Sequence, residues 1–211
     1  MRQYVTEFLG TFFLVLTIAL VVAAGTPLAP VAIGSVLMVM VYMGGHISGA
    51  HYNPAVTLAV FLRGGMEGKW VAGYWGVQIL GGLAGAAVGA FATGIAFAPA
   101  PAAAASPLAA LVLEFLFTFA LALVVLNTAT VDETAGNSYF GLAIGFTVLV
   151  GAFAAGPISG GAFNPAVGLG PIAWSAATAN GGLADLWLYL AGPLLGGAAA
   201  ALIFKVQHPS A

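Results

Sequence analysis

The chain has 211 residues, of which 62% are hydrophobic and only 5% are charged, and its formal net charge at pH 7 is -2. Four basic and six acidic side chains are too few to cover a water-soluble domain of this length, so the composition indicates an integral membrane protein. The chain has no cysteine, which excludes a disulfide framework and thiol chemistry.

Six apolar runs along the chain are long enough to cross a bilayer. We predict membrane-spanning helices over 6–24, 30–45, 70–92, 108–127, 138–155 and 184–204. The segments between them include a polar patch at 63–69, a proline-bounded loop at 99–107 and an acidic turn at 131–137. These segments are typical of surface connections.

Two short motifs follow the second and the fifth predicted spans and are nearly identical. Each reaches Asn-Pro-Ala-Val from a serine and glycine-rich start, at 48–56 and at 159–167. Asparagine is a favoured helix cap, and proline at the first helical position loses no needed N–H. The apolar runs that follow, 55–62 and 166–174, are half-length helices. About ten residues reach only about 15 Å, half of a hydrocarbon core about 30 Å thick. We predict that the two half-helices meet near the midplane.

The two halves of the chain repeat each other beyond these motifs. The segment that begins at Glu7 matches the one that begins at Glu114, and Ile79-Leu-Gly-Gly matches Leu194-Leu-Gly-Gly. Three spans per half invert the second half relative to the first, and sites are expected where broken helices meet. We therefore predict one channel domain over 1–211, built from inverted repeats of about 1–98 and 107–211.

The basic residues indicate the orientation in the membrane. With six spans and two segments that re-enter without crossing, Arg2, Arg63, Lys69 and Lys205 lie on one side. The positive-inside rule makes that side cytoplasmic. We expect a multi-pass protein of the cell (inner or plasma) membrane with both termini in the cytoplasm and the 99–107 loop outside.

The chain resembles the aquaporins and aquaglyceroporins of the major intrinsic protein family. The resemblance covers the whole chain, in both Asn-Pro-Ala motifs, the His46-Ile-Ser-Gly lead-in, the duplicated glutamates and the order of elements. It implies an all-α membrane fold with six transmembrane helices and two re-entrant half-helices, a homotetramer in the lipid bilayer, and no cofactor or nucleic-acid partner. The motif residues assigned to the pore are Asn53, Pro54, Ala55, Asn164, Pro165 and Ala166.

The physical properties of the motifs support a conducting path. Both half-helices would present positive N-terminal ends to the midplane. Asn53 and Asn164 can cap through the side-chain oxygen and leave the amide NH₂ for a passing water or polyol. His51 is expected to line the cytoplasmic half of the pore. The alternative is that each asparagine only caps a buried helix, which is less credible for the pair than for one motif.

Two glutamates and a histidine are expected to support the loops. Glu7 and Glu114 lie within spans, where an ionised carboxylate facing lipid is disfavoured. Their expected role, which the resemblance also implies, is to accept backbone N–H groups of the re-entrant loops. A proton relay is the alternative, but no chain of titratable partners accompanies them. His46 is expected to satisfy buried backbone next to the second helix, and no ligand cluster indicates a metal site.

The informative departure from the family pattern is at the outer constriction. Relatives usually follow the second Asn-Pro-Ala with arginine, and this chain has valine there. The resemblance places the filter at Ile33, Ala152, Gly161 and Val167. Such a ring is uncharged and wide wherever alanine and glycine lie. The alternative is that a neighbouring aromatic, Phe153 or Phe163, narrows it.

These features predict a passive channel for small uncharged solutes that excludes protons and ions. Water should pass, and the filter favours larger solutes such as glycerol-like polyols. Relatives without the filter arginine that are associated with arsenic resistance make undissociated metalloid acids such as arsenite a further candidate. An ion channel is disfavoured because no ring of charged side chains lines any span. A closed, structural membrane protein is the second alternative.

Overall fold

The computed structural model describes residues 1–179 and 181–209, and this part of the chain is helical without β-strands. The helices are α1 Arg2–Ala23, α2 Ala29–Ser48, α3 Pro54–Arg63, α4 Gly68–Thr93, α5 Pro107–Ala129, α6 Phe140–Ala154, α7 Gly156–Ser159, α8 Pro165–Thr178 and α9 Leu186–Gln207. A short 3₁₀ turn, Asp132–Thr134, lies between α5 and α6.

The predicted fold class is confirmed. Helices α1, α2, α4, α5 and α9 are long and apolar enough to cross a membrane, and α6 is a shorter apolar helix of 15 residues. The half-helices α3 and α8 have 10 and 14 residues. Six spanning helices therefore enclose two half-helices, the arrangement expected from the apolar runs and the two Asn-Pro motifs.

Several helix boundaries differ from the sequence prediction, and one short helix was not predicted. Helix α2 continues past the predicted end to Ser48 and stops at Gly49, whose φ of 85° is the left-handed geometry typical of a helix end. Helix α8 continues to Thr178, and Gly181 then donates to the Ser175 carbonyl at 3.1 Å. The short α7, which was not predicted, follows the end of α6 directly.

Within each half of the chain, a glycine lets two spanning helices approach closely. Gly81 of α4 lies against the Phe8 carbonyl of α1, and Gly196 of α9 lies against the Phe115 carbonyl of α5. A Cβ at either glycine would overlap the facing backbone. Small residues at such positions are the usual basis of close packing between membrane helices. The matched contacts explain why Leu-Gly-Gly recurs in the two halves.

The second glycine of each pair joins the two halves of the chain. Gly82 on α4 lies against the Ala166 carbonyl of α8, and Gly197 on α9 lies against the Ala55 carbonyl of α3. Each half-helix is therefore held by a spanning helix of the opposite half. These contacts between the halves hold the N-terminal ends of α3 and α8 at the centre of the bundle.

Candidate functional site

Asn53 and Asn164 begin the two half-helices with the same local geometry. Both have extended backbones, with φ of -156° and -161°. Each Oδ1 accepts the N–H two residues ahead, from Ala55 at 2.9 Å and from Ala166 at 2.9 Å. Proline occupies the first helical position in both, where its missing N–H costs no helical hydrogen bond. The local sequence alone accounts for these two caps.

The two asparagines also bond across to the opposite loop. Asn53 Nδ2 donates to the Phe163 carbonyl at 2.9 Å, and Asn164 Nδ2 donates to the Tyr52 carbonyl at 2.8 Å. An amide nitrogen carries two hydrogens, so one N–H of each side chain is used here. Both asparagines line a central cavity, where the second N–H can donate to a solute. Sequence reasoning missed this reciprocal bond, since nothing in either motif indicates its partner.

Left-handed backbone precedes each asparagine at matching positions. In the first loop Ala50 and Tyr52 have φ of 50° and 49°, and in the second Gly161 and Phe163 have φ of 65° and 49°. This region is costly for residues other than glycine, by about 1–3 kcal/mol each, unless the surroundings enforce it. The recurrence of this pattern in both halves of the chain indicates that both loops have the same backbone path.

Three successive carbonyl oxygens in each loop have no hydrogen-bond donor among residues 1–179 and 181–209. They belong to Gly49, Ala50 and His51 in the first loop and to Gly160, Gly161 and Ala162 in the second. These residues line the cavities of the bundle. Because buried backbone carbonyls normally have partners, the carbonyls give the path a row of acceptors for water or solute hydroxyls.

Glu7 and Glu114 each accept hydrogen bonds from one of the two loops. The Glu7 carboxylate accepts the Ser48 hydroxyl at 2.6 Å and the backbone N–H groups of His51 at 2.9 Å and Tyr52 at 2.7 Å. Both side chains are fully buried. Matching bonds reach Glu114 from Ser159 at 2.8 Å, Ala162 at 3.1 Å and Phe163 at 2.7 Å. This geometry agrees with the loop-supporting role expected from the sequence and offsets the strain of the left-handed residues.

The first loop has further polar contacts that have no counterpart at the second loop within the described residues. Gln78 Nε2 donates to Glu7 Oε2 at 2.8 Å and to the Thr57 hydroxyl at 2.9 Å. The ring Nδ1 of His51 lies 3.1 Å from the same hydroxyl. The matching Leu-Gly-Gly segments make Pro193 the counterpart of Gln78. Sequence reasoning missed Gln78 and Thr57 because each is a single polar residue within an apolar run.

Three cavities follow one another through the bundle. A cavity of about 690 Å³ at the end of the bundle that carries Arg63, named the inner vestibule, and a cavity of about 410 Å³ at the other end, named the outer vestibule, are separated by a central cavity of about 20 Å³. A cavity of that size has room for about one water molecule. His51 and Val125 line both the inner vestibule and the central cavity. His51 therefore lies where the inner vestibule meets the central cavity.

The residues expected to form the filter lie at the outer end of the central cavity. Ile33, Gly161 and Val167 line both the central cavity and the outer vestibule, and Ala152 lines the outer vestibule. Ile18, which the sequence analysis did not single out, also lines both. The boundary between the two cavities therefore carries only aliphatic side chains and a glycine.

The aromatic residues named as alternatives do not close this boundary. Phe153 is 47% exposed on the outside of α6, away from all three cavities. Phe163 lines the central cavity, but its ring packs against Phe117 with centroids 5.4 Å apart. The aromatic side chain at the outer vestibule is instead Phe97, from the loop between α4 and α5.

The expectation for His46 is wrong. It was predicted to satisfy buried backbone beside the first loop, but its side chain is exposed near the end of α2. The buried histidine is His51, five residues further along, whose ring contacts the Thr57 hydroxyl of α3. The two histidines are close together in the sequence, and only their burial in the structure distinguishes them.

Contacts place the basic residues at one end of the bundle. The Arg63 guanidinium donates to the Thr130 carbonyl and lies over the Phe204 ring, 5.2 Å from its centroid. Phe204 adjoins Lys205, the basic residue in the last turn of α9. Lys69 precedes Trp70, whose ring packs against Tyr4, two residues from Arg2, with centroids 6.1 Å apart. Gln3, Arg63 and Trp70 line one cavity, which joins these two groups of contacts, so all four basic residues lie at the same end of the bundle.

Comparison with known proteins agrees with this architecture. The family model described as Major intrinsic protein matches residues 1–204. A protein of Oryza sativa subsp. japonica named Aquaporin NIP1-3 is 40% identical over 214 residues, covering 97% of this chain and 73% of that protein. Glycerol uptake facilitator protein-like 6 of Lactiplantibacillus plantarum is 36% identical over 217 residues, covering 98% of each chain.

A solved structure has the same fold. The X-ray structure of the aquaglyceroporin from Plasmodium falciparum superposes with a TM-score of 0.86 and 22% sequence identity, covering 99% of this chain and 97% of that one. Together with the family match over nearly the whole chain, these findings identify the protein as a member of the major intrinsic protein family.

Proposed function

We propose that the pore admits glycerol-like polyols and undissociated metalloid acids such as arsenite in addition to water, and that it excludes protons and ions. Members of the family are passive channels for water and small solutes and not enzymes. The observation that carries the proposal is the uncharged boundary at Ile33, Gly161 and Val167. A relative named as a glycerol uptake facilitator supports the polyol assignment.

The absence of a long charged side chain at the filter widens the range of neutral solutes that the pore admits. An arginine would fill the boundary with a long side chain and a permanent charge, whereas Val167 contributes a short aliphatic one. Ala152 and Gly161, the other two small residues of the predicted filter, also line the outer vestibule. We expect this boundary to admit glycerol-sized solutes, whose hydroxyls the free carbonyls of the second loop can accept.

Ion exclusion rests on the two half-helices. Each N-terminus carries roughly half a positive charge, and both face the central cavity through Asn53 and Asn164. A cation entering this cavity would lose its hydration and meet two positive ends, while a neutral solute pays no such cost. The fixed N–H donors at the centre also oblige a passing water to accept hydrogen bonds from both sides.

We further propose a homotetramer in the cell membrane, with both termini in the cytoplasm. The basic end of the bundle supports this orientation through the positive-inside rule. Large exposed side chains such as Phe91, Leu202 and Val206 leave apolar faces that lipid or a neighbouring copy would cover. Native mass spectrometry of the detergent-solubilised protein measures the number of subunits.

Stopped-flow swelling of proteoliposomes tests the solute range. Water, glycerol and undissociated arsenite should each enter faster than in protein-free liposomes. Val167→Trp should abolish the glycerol component because it fills the boundary. Val150→Trp is the matched control, since Val150 is 53% exposed on α6, and it should leave flux unchanged. Water entry without glycerol entry in the unmodified protein would contradict the broad-pore proposal.

A further inference from the structure

The outer vestibule differs sharply in chemistry from the inner one. Every described residue that lines the outer vestibule is Ala, Gly, Pro, Val, Ile or Phe. The inner vestibule, in contrast, is lined by polar and charged side chains that include His51, Arg63, Glu67 and Thr130. A solute therefore meets polar groups at one mouth of the pore and an apolar wall at the other.

The loop between α4 and α5 builds one side of this apolar wall. Its residues 95–105 are Ile, Ala, Phe and Pro only, although exposed loops are usually rich in polar residues. Phe97, Pro99 and Ala100 line the vestibule. The Ala102 N–H donates to the Ile158 carbonyl at 3.0 Å, which ties the loop to the segment before the second motif. The wall is therefore a packed part of the bundle.

Backbone carbonyls are the polar groups that remain on this side. The vestibule includes Gly160 and Gly161, whose oxygens have no donor within the described residues. They can accept one or two hydrogen bonds from a solute. The side chains of Ile33, Ala152 and Phe97, which also line the vestibule, offer a hydroxyl no hydrogen-bonding partner, and burying a polar group without a partner is unfavourable.

We propose that the outer vestibule selects neutral solutes that have an apolar face and few hydroxyls over more polar solutes of the same size. The inference rests on the proposed function, since it assumes that solutes enter by this mouth. Replacing one hydroxyl of a polyol by hydrogen removes an unpaired polar group and leaves a methyl to contact the wall. The favoured class includes deoxygenated polyols such as 1,2-propanediol and methylated amides such as methylurea.

Two solute pairs test the inference: in the first the solutes have nearly equal size, and in the second the less polar solute is the larger one, so that size alone would favour the other. Permeabilities of 1,2-propanediol against glycerol, and of methylurea against urea, are measured in proteoliposomes after subtraction of the protein-free values. The protein-dependent ratio for the first pair should be about tenfold in favour of 1,2-propanediol, the factor that corresponds to about 1.4 kcal/mol. Methylurea should likewise exceed urea.

Variants that add one hydroxyl to the wall should reduce this preference. Ala152→Ser and Phe97→Tyr each add a hydroxyl at the vestibule and should lower the 1,2-propanediol to glycerol ratio by about threefold. Phe153→Tyr is the matched control, because Phe153 lies on the outer surface of α6, and it should leave the ratio unchanged.

The outcomes separate this inference from the proposed function. If both solutes enter through the protein at equal rates, or if neither vestibule variant changes the ratio, the inference is overturned and the proposed function stands. If neither solute enters faster than in protein-free liposomes, both are overturned. A fall in the ratio for the vestibule variants, with none for Phe153→Tyr, is the supporting result.

Discussion

Val167→Arg should convert the broad pore into a narrow one. Val167 is only 3% exposed and lines both the central cavity and the outer vestibule. An arginine there would extend from the boundary into the outer vestibule of about 410 Å³. Its five N–H donors would find acceptors in the free carbonyls of Gly160 and Gly161. Some of its N–H donors would therefore have hydrogen-bond acceptors at this position.

The expected loss of permeability in Val167→Arg differs between solutes. A steric mismatch of about 1–3 kcal/mol, typical of an oversized group in a fitted site, lowers glycerol permeability by about 10–200-fold. Water is smaller and should lose less than about threefold on the same scale. At about 5 Å and an effective dielectric constant of about 20, the added charge repels a cation by about 3.3 kcal/mol. Overpacking costs folding about 1–3 kcal/mol.

The assay compares water and glycerol permeability of one proteoliposome preparation by stopped-flow light scattering. Val167→Met is the matched control, since it adds length without charge or N–H donors. It should lower glycerol entry only through its bulk, and it should leave the cation barrier as in the unmodified protein. Size-exclusion chromatography of each variant shows whether it assembles as the unmodified protein does.

Two results would refute the reasoning. Unchanged glycerol entry in a correctly assembled Val167→Arg variant would mean that Val167 does not line the constriction. Equal losses of water and glycerol would mean that the arginine plugs the path and has no selective effect.

Three further predictions concern the centre, the topology and the packing. Asn164→Asp should admit cations or impair folding, because a carboxylate offsets the positive helix end, whereas Asn164→Ala should lower solute flux with a milder loss of stability. If both variants assemble and keep flux and ion exclusion unchanged in the swelling and conductance assays, Asn164 is only a cap. Single cysteines at Ser106 and Thr134, in a chain that has no other cysteine, should label from outside and inside respectively; labelling from one side only would overturn the six-span topology. Gly82→Ala should lower the unfolding temperature in detergent, because its Cβ would overlap the Ala166 carbonyl. Gly76→Ala, in open space on the same helix, should be neutral or stabilising by up to about 1 kcal/mol, and equal shifts for the pair would contradict the packing argument.

The fold could be predicted from the sequence because its signals are local. Apolar length fixed the six spans, and Asn-Pro marked the starts of α3 and α8 to within one residue. The repeat of Leu-Gly-Gly also had a structural counterpart, since Gly82 and Gly197 contact the opposite half-helices. Boundaries such as the end of α2 were less predictable because they depend on how the loop returns into the bundle.

The site was harder to predict where it depends on contacts between distant segments. The bonds from Asn53 to Phe163 and from Asn164 to Tyr52 join loops that are far apart in the chain. Their acceptors are backbone carbonyls, which the identity of the residue does not reveal. Phe97 was missed for the same reason, because an apolar loop residue indicates nothing about the cavity that it faces. His46 was misassigned because burial depends on the helix face.

The most direct test of the central claim measures solute flux and ion conductance in the same protein preparation. The claim is that uncharged solutes cross between the two capped half-helices, while the helix ends and the uncharged boundary exclude ions. Proteoliposomes should take up water and glycerol rapidly, and planar bilayers fused with them should show no conductance above the protein-free level in potassium chloride or across a proton gradient. A protein-dependent ionic or proton current that accompanies solute entry would contradict the account.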